Sequence, residues 1–370
     1  NLGYQFTETE VTNLIDIDLP RFVRRDEEIL RAHGAFGQAW YKDSNNDFSV
    51  RGGVRANYLT RFEKVIIEPR LSIRTSVGEH IKIEALGEFK HQSTSQVVNF
   101  QNDFLGIENR RWQLTDNDSI PVLLSKQFSL GFIFKNDGLM LDAKGYYKTV
   151  DGITTQSQSF TTKYEFAKEK GSYNAYGFEF LCRKTFNNFN SWLSYSYINN
   201  TYTFEDLVDI EFPSNFDITH SITLGTTFSN KSWNISAGVN YRTGNPTSIP
   251  LVDSEILDDE VNFDQANTER LLDYLRIDAS AIYKFKMSDT FRSEIGASIW
   301  NISNRENTIN NYYRVNENGD VERFSRLPAR DHDAARTVDR NCQTRLSIVR
   351  FQPHRYSGTR ISRDSDRQGK

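Results

Sequence analysis

Phe48-Ser-Val-Arg-Gly-Gly-Val-Arg-Ala-Asn-Tyr58 decides the fold. Phe48, Val50, Gly52, Val54, Ala56 and Tyr58 are apolar or small, and Ser49, Arg51, Gly53, Arg55 and Asn57 fall between them. A period of two places one row on each face of a β-strand, one apolar and one polar. The pattern recurs outward along the chain. Val65, Ile67, Pro69, Leu71 and Ile73 alternate with Glu68, Arg70, Ser72 and Arg74. Ile81, Ile83, Ala85, Gly87 and Phe89 alternate with Lys82, Glu84, Glu88 and Lys90. Phe128, Leu130, Phe132 and Phe134 form another apolar row, followed by Leu139, Leu141, Ala143, Gly145 and Tyr147. Later rows run through Tyr176–Cys182, Trp233–Tyr241, Leu275–Phe285 and Phe291–Ile299.

These apolar rows predict strands of about 10–13 residues. A soluble strand averages about 5–6 residues, whereas a tilted strand crossing a bilayer needs about 9–11. The polar rows carry full charges at neighbouring positions, which a packed core excludes and a water-filled lumen accepts. Many apolar rows end in aromatics, among them Trp40, Tyr58, Phe89, Tyr147, Tyr197, Phe228, Trp233, Tyr241, Phe285 and Phe291, as interfacial girdles would. Composition agrees: 26 Phe and 17 Tyr against 2 Met lean toward strands. There is no apolar run of about 18 residues or more, so no transmembrane helix is expected.

Connections alternate in length. Short turns are expected at 43–47, 76–79, 136–138, 187–190, 229–231 and 287–290, with Asn136-Asp-Gly138 the strongest turn signal. Long connections are expected at 15–29, 92–125, 149–173, 199–217 and 243–273, with 60–64 a brief exception on the long side. Outer-membrane barrels have this parity, short on the periplasmic side and long outside. The sequence therefore reads as an all-β, transmembrane antiparallel barrel wall with about thirteen strands, or fourteen with one after residue 310. Its domains read as 1–326, the barrel part, and 327–370, a basic tail that is disordered or non-native.

Several stretches resemble the C-terminal barrel of TonB-dependent outer-membrane receptors, of the variety often preceded by a carboxypeptidase-regulatory-like domain and a plug. They are Glu68-Pro-Arg-Leu-Ser72, Gly145-Tyr-Tyr-Lys148, Trp192-Leu-Ser-Tyr-Ser196, Phe212-Pro-Ser-Asn-Phe-Asp217 with His220, Tyr241-Arg-Thr-Gly-Asn-Pro246, Tyr274-Leu-Arg-Ile-Asp278 and Asn301-Ile-Ser-Asn304. The resemblance implies a 22-strand barrel around a plug, of which this chain would hold about the last fourteen strands, the plug and first strands lying upstream. It implies a Gram-negative outer-membrane transporter importing a siderophore, oligosaccharide or similar nutrient. Its partners would be outer-membrane lipid, its own plug, the TonB complex through that upstream part, and a small or oligomeric ligand. Nucleic acid is not expected, the net charge being −4. A soluble extracellular β-rich binding module or glycan-acting enzyme is the alternative.

No catalytic residues, cofactor or metal are expected. The six histidines, His33, His80, His91, His220, His332 and His354, have no metal-ligand spacing, and Cys182 and Cys342 match no redox motif. Ligand-binding candidates are Phe100, Phe104 and Trp112, aromatics among hydrogen-bonding groups in the 92–125 connection, which suit sugars or aryl siderophores. Trp192 and Trp300 fall on inward rows, where they could stack on a plug. Asp253, Glu255, Asp258, Asp259, Glu260 and Asp264 make an acidic outer loop, read either as a cation site or as a solvated loop. In the tail, Arg replaces Lys almost throughout, as a reading-frame shift or foreign end from about 327 would produce; a basic segment for lipid phosphates or nucleic acid is the other reading. Resequencing the 3′ end decides. Arg345-Leu-Ser-Ile-Val-Arg-Phe351 has the form of a closing strand.

Overall fold

A computed structural model describes residues 1–18, 21–45, 47–98, 110–116, 118–158, 160, 164, 167–208, 211–288, 291–326 and 346–348. Thirteen long strands pair with their sequence neighbours in one antiparallel wall. They are β1 (Leu2–Asp18), β2 (Arg21–Lys42), β3 (Phe48–Leu59), β4 (Lys64–Val77), β5 (Ile81–Gln92), β6 (Leu123–Asn136) and β7 (Leu139–Thr154). They continue with β8 (Lys170–Phe186), β9 (Phe189–Thr203), β10 (His220–Ser229), β11 (Trp233–Arg242), β12 (Tyr274–Lys286) and β13 (Arg292–Ile299). Two short pieces bring the sheet to 15 strands: Phe212–Pro213 on β9, and β14 (Leu346–Ile348) on β13. The latter falls within the stretch with closing-strand form; the rest of the tail lies outside the described residues.

The register keeps every apolar row on one face. Phe132 lies between Ile83 and Ala143, and Leu130 between Ala85 and Gly145. Ala237 lies between Thr226 and Ala279, and Ala281 pairs with Ala297. A slip of one residue would exchange the faces of a whole strand. The apolar face is uncovered: Ile67, Phe128, Leu130, Ile235 and Ile295 are all exposed. A continuous apolar surface of this extent is a bilayer-facing one. Near the short turns its aromatics meet in pairs, Trp233–Tyr283 at 4.7 Å and Phe189–Phe228 at 5.0 Å between ring centroids, as a girdle requires.

The opposite face carries the charges. Arg74 pairs with Glu84 at 2.6 Å and Arg276 with Asp278 at 2.8 Å. Such water-facing pairs each contribute about 0–1 kcal/mol, so they make the lumen face compatible with water rather than hold the wall together. The ladder does that.

Two expectations need correction. The 15–29 stretch is not a long connection: β1 and β2 stay paired up to Asp18↔Arg21. Paired backbones need no apolar row, so strands outrun the alternation that reveals them. Trp40 pairs with Arg51 on the charged face, one residue out of phase with the row of Tyr41, so it is not a girdle residue. Among the described residues the other short turns fall as expected. Asp137 and Gly138 have φ of 42° and 70° in a two-residue hairpin, the conformation that Asn-Asp-Gly favours.

Candidate functional site: the outer rim and the inner wall

The largest cluster of buried apolar side chains lies at the outer ends of strands and on the connections beyond them. Phe160, Tyr164, Tyr202, Phe204 and Phe212 pack largely edge-to-face, Phe160 lying 5.6 Å from Tyr202 and 5.9 Å from Tyr164. Val150, Ile153 and Ala266 complete the cluster. It joins three outer connections, those after β7, β9 and β11. Burial pushes the Tyr164 phenol above its ordinary range.

Hydrogen bonds tie these connections to the rim. Tyr202 Oη–H donates to Gln158 Oε1 at 2.8 Å, and Asn215 Nδ2 to the Gln158 carbonyl at 2.7 Å. Asn267 Nδ2 donates to the Pro213 carbonyl and to Asn215 Oδ1, both at 2.8 Å. Asp217 is buried; it accepts the Asn200 amide at 2.8 Å and is ion-paired with Arg270. Arg270 Nη1 also donates to the Asp217 carbonyl at 2.6 Å and the Gly244 carbonyl at 3.2 Å. A Cβ at Gly244 would collide with the Leu271 carbonyl. Further round, Asp273 accepts from Tyr241 Oη–H at 2.7 Å and the Gly244 amide at 3.1 Å. Asp278 accepts the Asn301 amide at 2.9 Å, and Asn307 brackets Leu275 by donating to its carbonyl and accepting its amide. Four of the stretches that carried the resemblance, around Asp217, Gly244, Asp278 and Asn301, are therefore one clamp at the outer rim. In each, a side chain holds a backbone amide.

The inner wall holds a cavity of about 430 Å³ lined by Phe36, Gln38, Arg51, Arg55, Arg70 and Leu86 among others. Arg51 Nη2 donates to Gln38 Oε1 at 2.9 Å; Arg55 donates to Asn57 Oδ1 at 2.7 Å and Gln5 Oε1 at 3.0 Å. Both guanidiniums thus engage neutral amides. Glu68, buried beside them, is occupied by Asn57 Nδ2 at 3.0 Å and the His91 amide at 2.8 Å. With Arg51, Arg55 and Arg70 set among Glu68 and Glu88, the cavity presents both donors and acceptors to a hydrogen-bonding surface.

The sequence-derived ligand candidates do not converge. Phe100 and Phe104 lie outside the described residues. Trp112 sits on the strand Arg110–Leu114, paired with Thr94–Val98; its ring is half-exposed and its carbonyl accepts Asn13 Nδ2 at 3.1 Å. Trp300 follows β13 at its outer end and is exposed. Trp192 is on the inner face near the short turn, lying over Gly225, where a Cβ would meet its Nε1 at 2.6 Å. Gly225→Ala should cost about 1–2 kcal/mol by overpacking. In the Trp192→Ala background that cost should largely vanish, which a double-mutant unfolding cycle would read as coupling; additive costs would place the ring elsewhere.

In the acidic loop Asp253, Asp258 and Asp259 adopt φ of 65°, 51° and 64°, a left-handed backbone that Asp tolerates. No group of three or more metal-ligating residues occurs among the described residues. A second acidic turn is cohesive. Burial opposes the charge of Asp116, but the Ser119 hydroxyl and the Ile120 and Asp118 amides outweigh it and hold the carboxyl below its ordinary range. A depressed carboxyl stabilises above its unfolded value, 3.8, and that stabilisation is lost as pH falls through the folded value. Hydrogen-exchange mass spectrometry of 115–122 should show protection falling below about pH 4. Asp116→Asn should start less protected and lose that pH dependence.

A bilayer-facing wall, a charged inner face and a clamped outer rim define a transmembrane β-barrel of the outer-membrane kind. The chain belongs to the TonB dependent receptor-like, beta-barrel family, whose model matches residues 1–304, and it is thus a protein of the Gram-negative outer membrane. Similar solved structures include the ferric yersiniabactin uptake receptor FyuA of Yersinia pestis, at 12% identity and TM-score 0.56, covering 88% of this chain and 48% of that one. The ferric citrate transporter FecA in its unliganded form has 12% identity and TM-score 0.57, with 88% and 49% covered. The outer membrane transporter YddB of Escherichia coli has 12% identity and TM-score 0.54, with 88% and 49% covered. At these identities the likeness concerns the fold. The chain spans about half the length of the structures it matches. No curated protein matches it significantly.

Proposed function

We propose that this chain is wall and outer rim of an active importer that captures a small or oligomeric nutrient outside and passes it inward without covalent chemistry. The observation that carries the reading is the joining of three outer connections into one packed unit above a charged inner wall. Outer connections built in this way present a fixed surface to a ligand. The resemblance supplies the rest of the cycle: a plug inside the barrel, and TonB coupling to the proton gradient. The similar proteins are an uptake receptor for ferric yersiniabactin and a transporter for ferric citrate, and cargo of that small-molecule class, or an oligosaccharide, fits here. Trp112 and Trp300, on the outer side, are the retained contact candidates.

The test is growth and labelled uptake in cells carrying the intact gene against a deletion strain, over a panel of ferric chelates and oligosaccharides. At least one cargo should enter only in the gene's presence and only while the proton gradient is intact. Uptake unaffected by collapsing the gradient would mean a passive pore instead.

A further inference from the structure

Beyond the clamp, the hairpin Asn310–Val315 and Val321–Arg326 stands at the outer end. Its two faces differ. Tyr313 turns toward Phe263, 6.1 Å away edge-on, and so seats the hairpin beside the acidic loop. The other face carries Asn310, Tyr312, Arg314, Glu322 and Phe324. Tyr312 stacks on Phe324 with centroids 5.3 Å apart and planes 12° from parallel. Arg314 lies 4.5 Å from the Phe324 centroid. Phe324 is therefore held by two neighbours, while Tyr312 remains 54% exposed.

We infer that this face is a saccharide-binding platform, taking the apolar face of a neutral sugar ring on Tyr312. An exposed aromatic braced from behind costs little entropy to present, and it stacks on a pyranose through its C–H face. Hydroxyl groups at the rim of the sugar need both donors and acceptors, and Asn310, Arg314 and Glu322, the last also accepting Asn316 Nδ2 at 3.1 Å, share the face of the ring. A simple aryl ligand would leave those groups unmatched. Charge gives anionic ligands no advantage: on the platform Arg314 lies opposite Glu322, and the acidic loop adjoins the hairpin through Tyr313. The adjoining loop holds Asp253, Glu255, Asp258, Asp259, Glu260 and Asp264 and no Lys or Arg from 251 to 264, so the local potential repels carboxylates and catecholates within about a Debye length, ~8 Å. A neutral oligosaccharide meets neither objection.

The inference rests on the import reading only for the hairpin's outside position. Outer-membrane vesicles from cells carrying the intact gene should be applied, without energisation, to an array of neutral and acidic glycans and to a ferric tricatecholate. The expected result is binding to one or more neutral glycans, weakened about tenfold or more by Tyr312→Ala. Tyr312→Phe keeps the stacking ring and should retain binding. Unchanged heat-modifiable migration on gels would show that the variants fold. The inference is overturned if no neutral glycan binds, if Tyr312→Ala binds as well as wild type, or if only acidic glycans or the ferric chelate respond to it. Because binding needs no proton gradient, a failure of energised uptake would strike the import reading and leave this result standing.

Discussion

Asp217→Ala should release the outer rim. The carboxylate is buried, takes the Asn200 amide and pairs with Arg270, whose other contacts are the Asp217 and Gly244 carbonyls. Removing it leaves a partly buried guanidinium without its counter-charge and a strand-end amide without an acceptor. Breaking a fully buried pair from one side costs about 3–5 kcal/mol. Arg270 is 36% exposed, so water recovers part of this, and about 2–3 kcal/mol is expected. The loss should be local, since the wall ladder does not include the pair. Brief protease treatment of intact cells should cut the variant between about 204 and 273 and spare wild type, with the barrel still heat-modifiable. Arg270→Ala should be cut in the same region. Equal resistance of both variants would mean that the aromatic cluster alone holds the connections.

Leu130→Arg should destabilise the wall itself. Leu130 sits mid-strand on the outward row, 53% exposed in the absence of lipid and flanked by Ala85 and Gly145. Neither neighbour offers a counter-charge, and arginine on the lipid face near the bilayer midplane costs about 2–4 kcal/mol. The same residue at Ile133, which pairs with Lys82 and Asp142 on the charged face, should change stability by no more than about 1 kcal/mol. Denaturant unfolding in phospholipid bilayers would measure both. A reversal of the two effects would exchange the faces assigned to this strand.

The wall was legible because alternation is local: each strand announces its faces within a dozen residues. What the sequence concealed is non-local. The pairing of β1 with β2 continues to Asp18↔Arg21, where only the short alternation Ile15-Asp-Ile-Asp18 marks it. Trp40 lies one residue away from Tyr41, and only the register tells which of them faces lipid. Asp217 and Arg270 are 53 residues apart, and nothing in either neighbourhood names the other. The stretches around Asp217, Gly244, Asp278 and Asn301 were visible as family marks, but their shared role emerges only when the rim brings them together. The same holds for Tyr312 and Phe324, which became a platform through hairpin register. Aromatics chosen for exposure in one connection, such as Trp112, carry no such sign.

The central claim is a two-faced wall with lipid on one side and water on the other. Single nitroxide labels placed in turn along Leu123–Asn136, in the protein embedded in bilayers, measure it residue by residue through collisions with apolar oxygen and with a water-soluble nickel chelate. Oxygen contact should peak at 128, 130, 132 and 134, and chelate contact at 127, 129, 131 and 133. Chelate access at both sets, or oxygen peaks at the odd positions, would contradict the account.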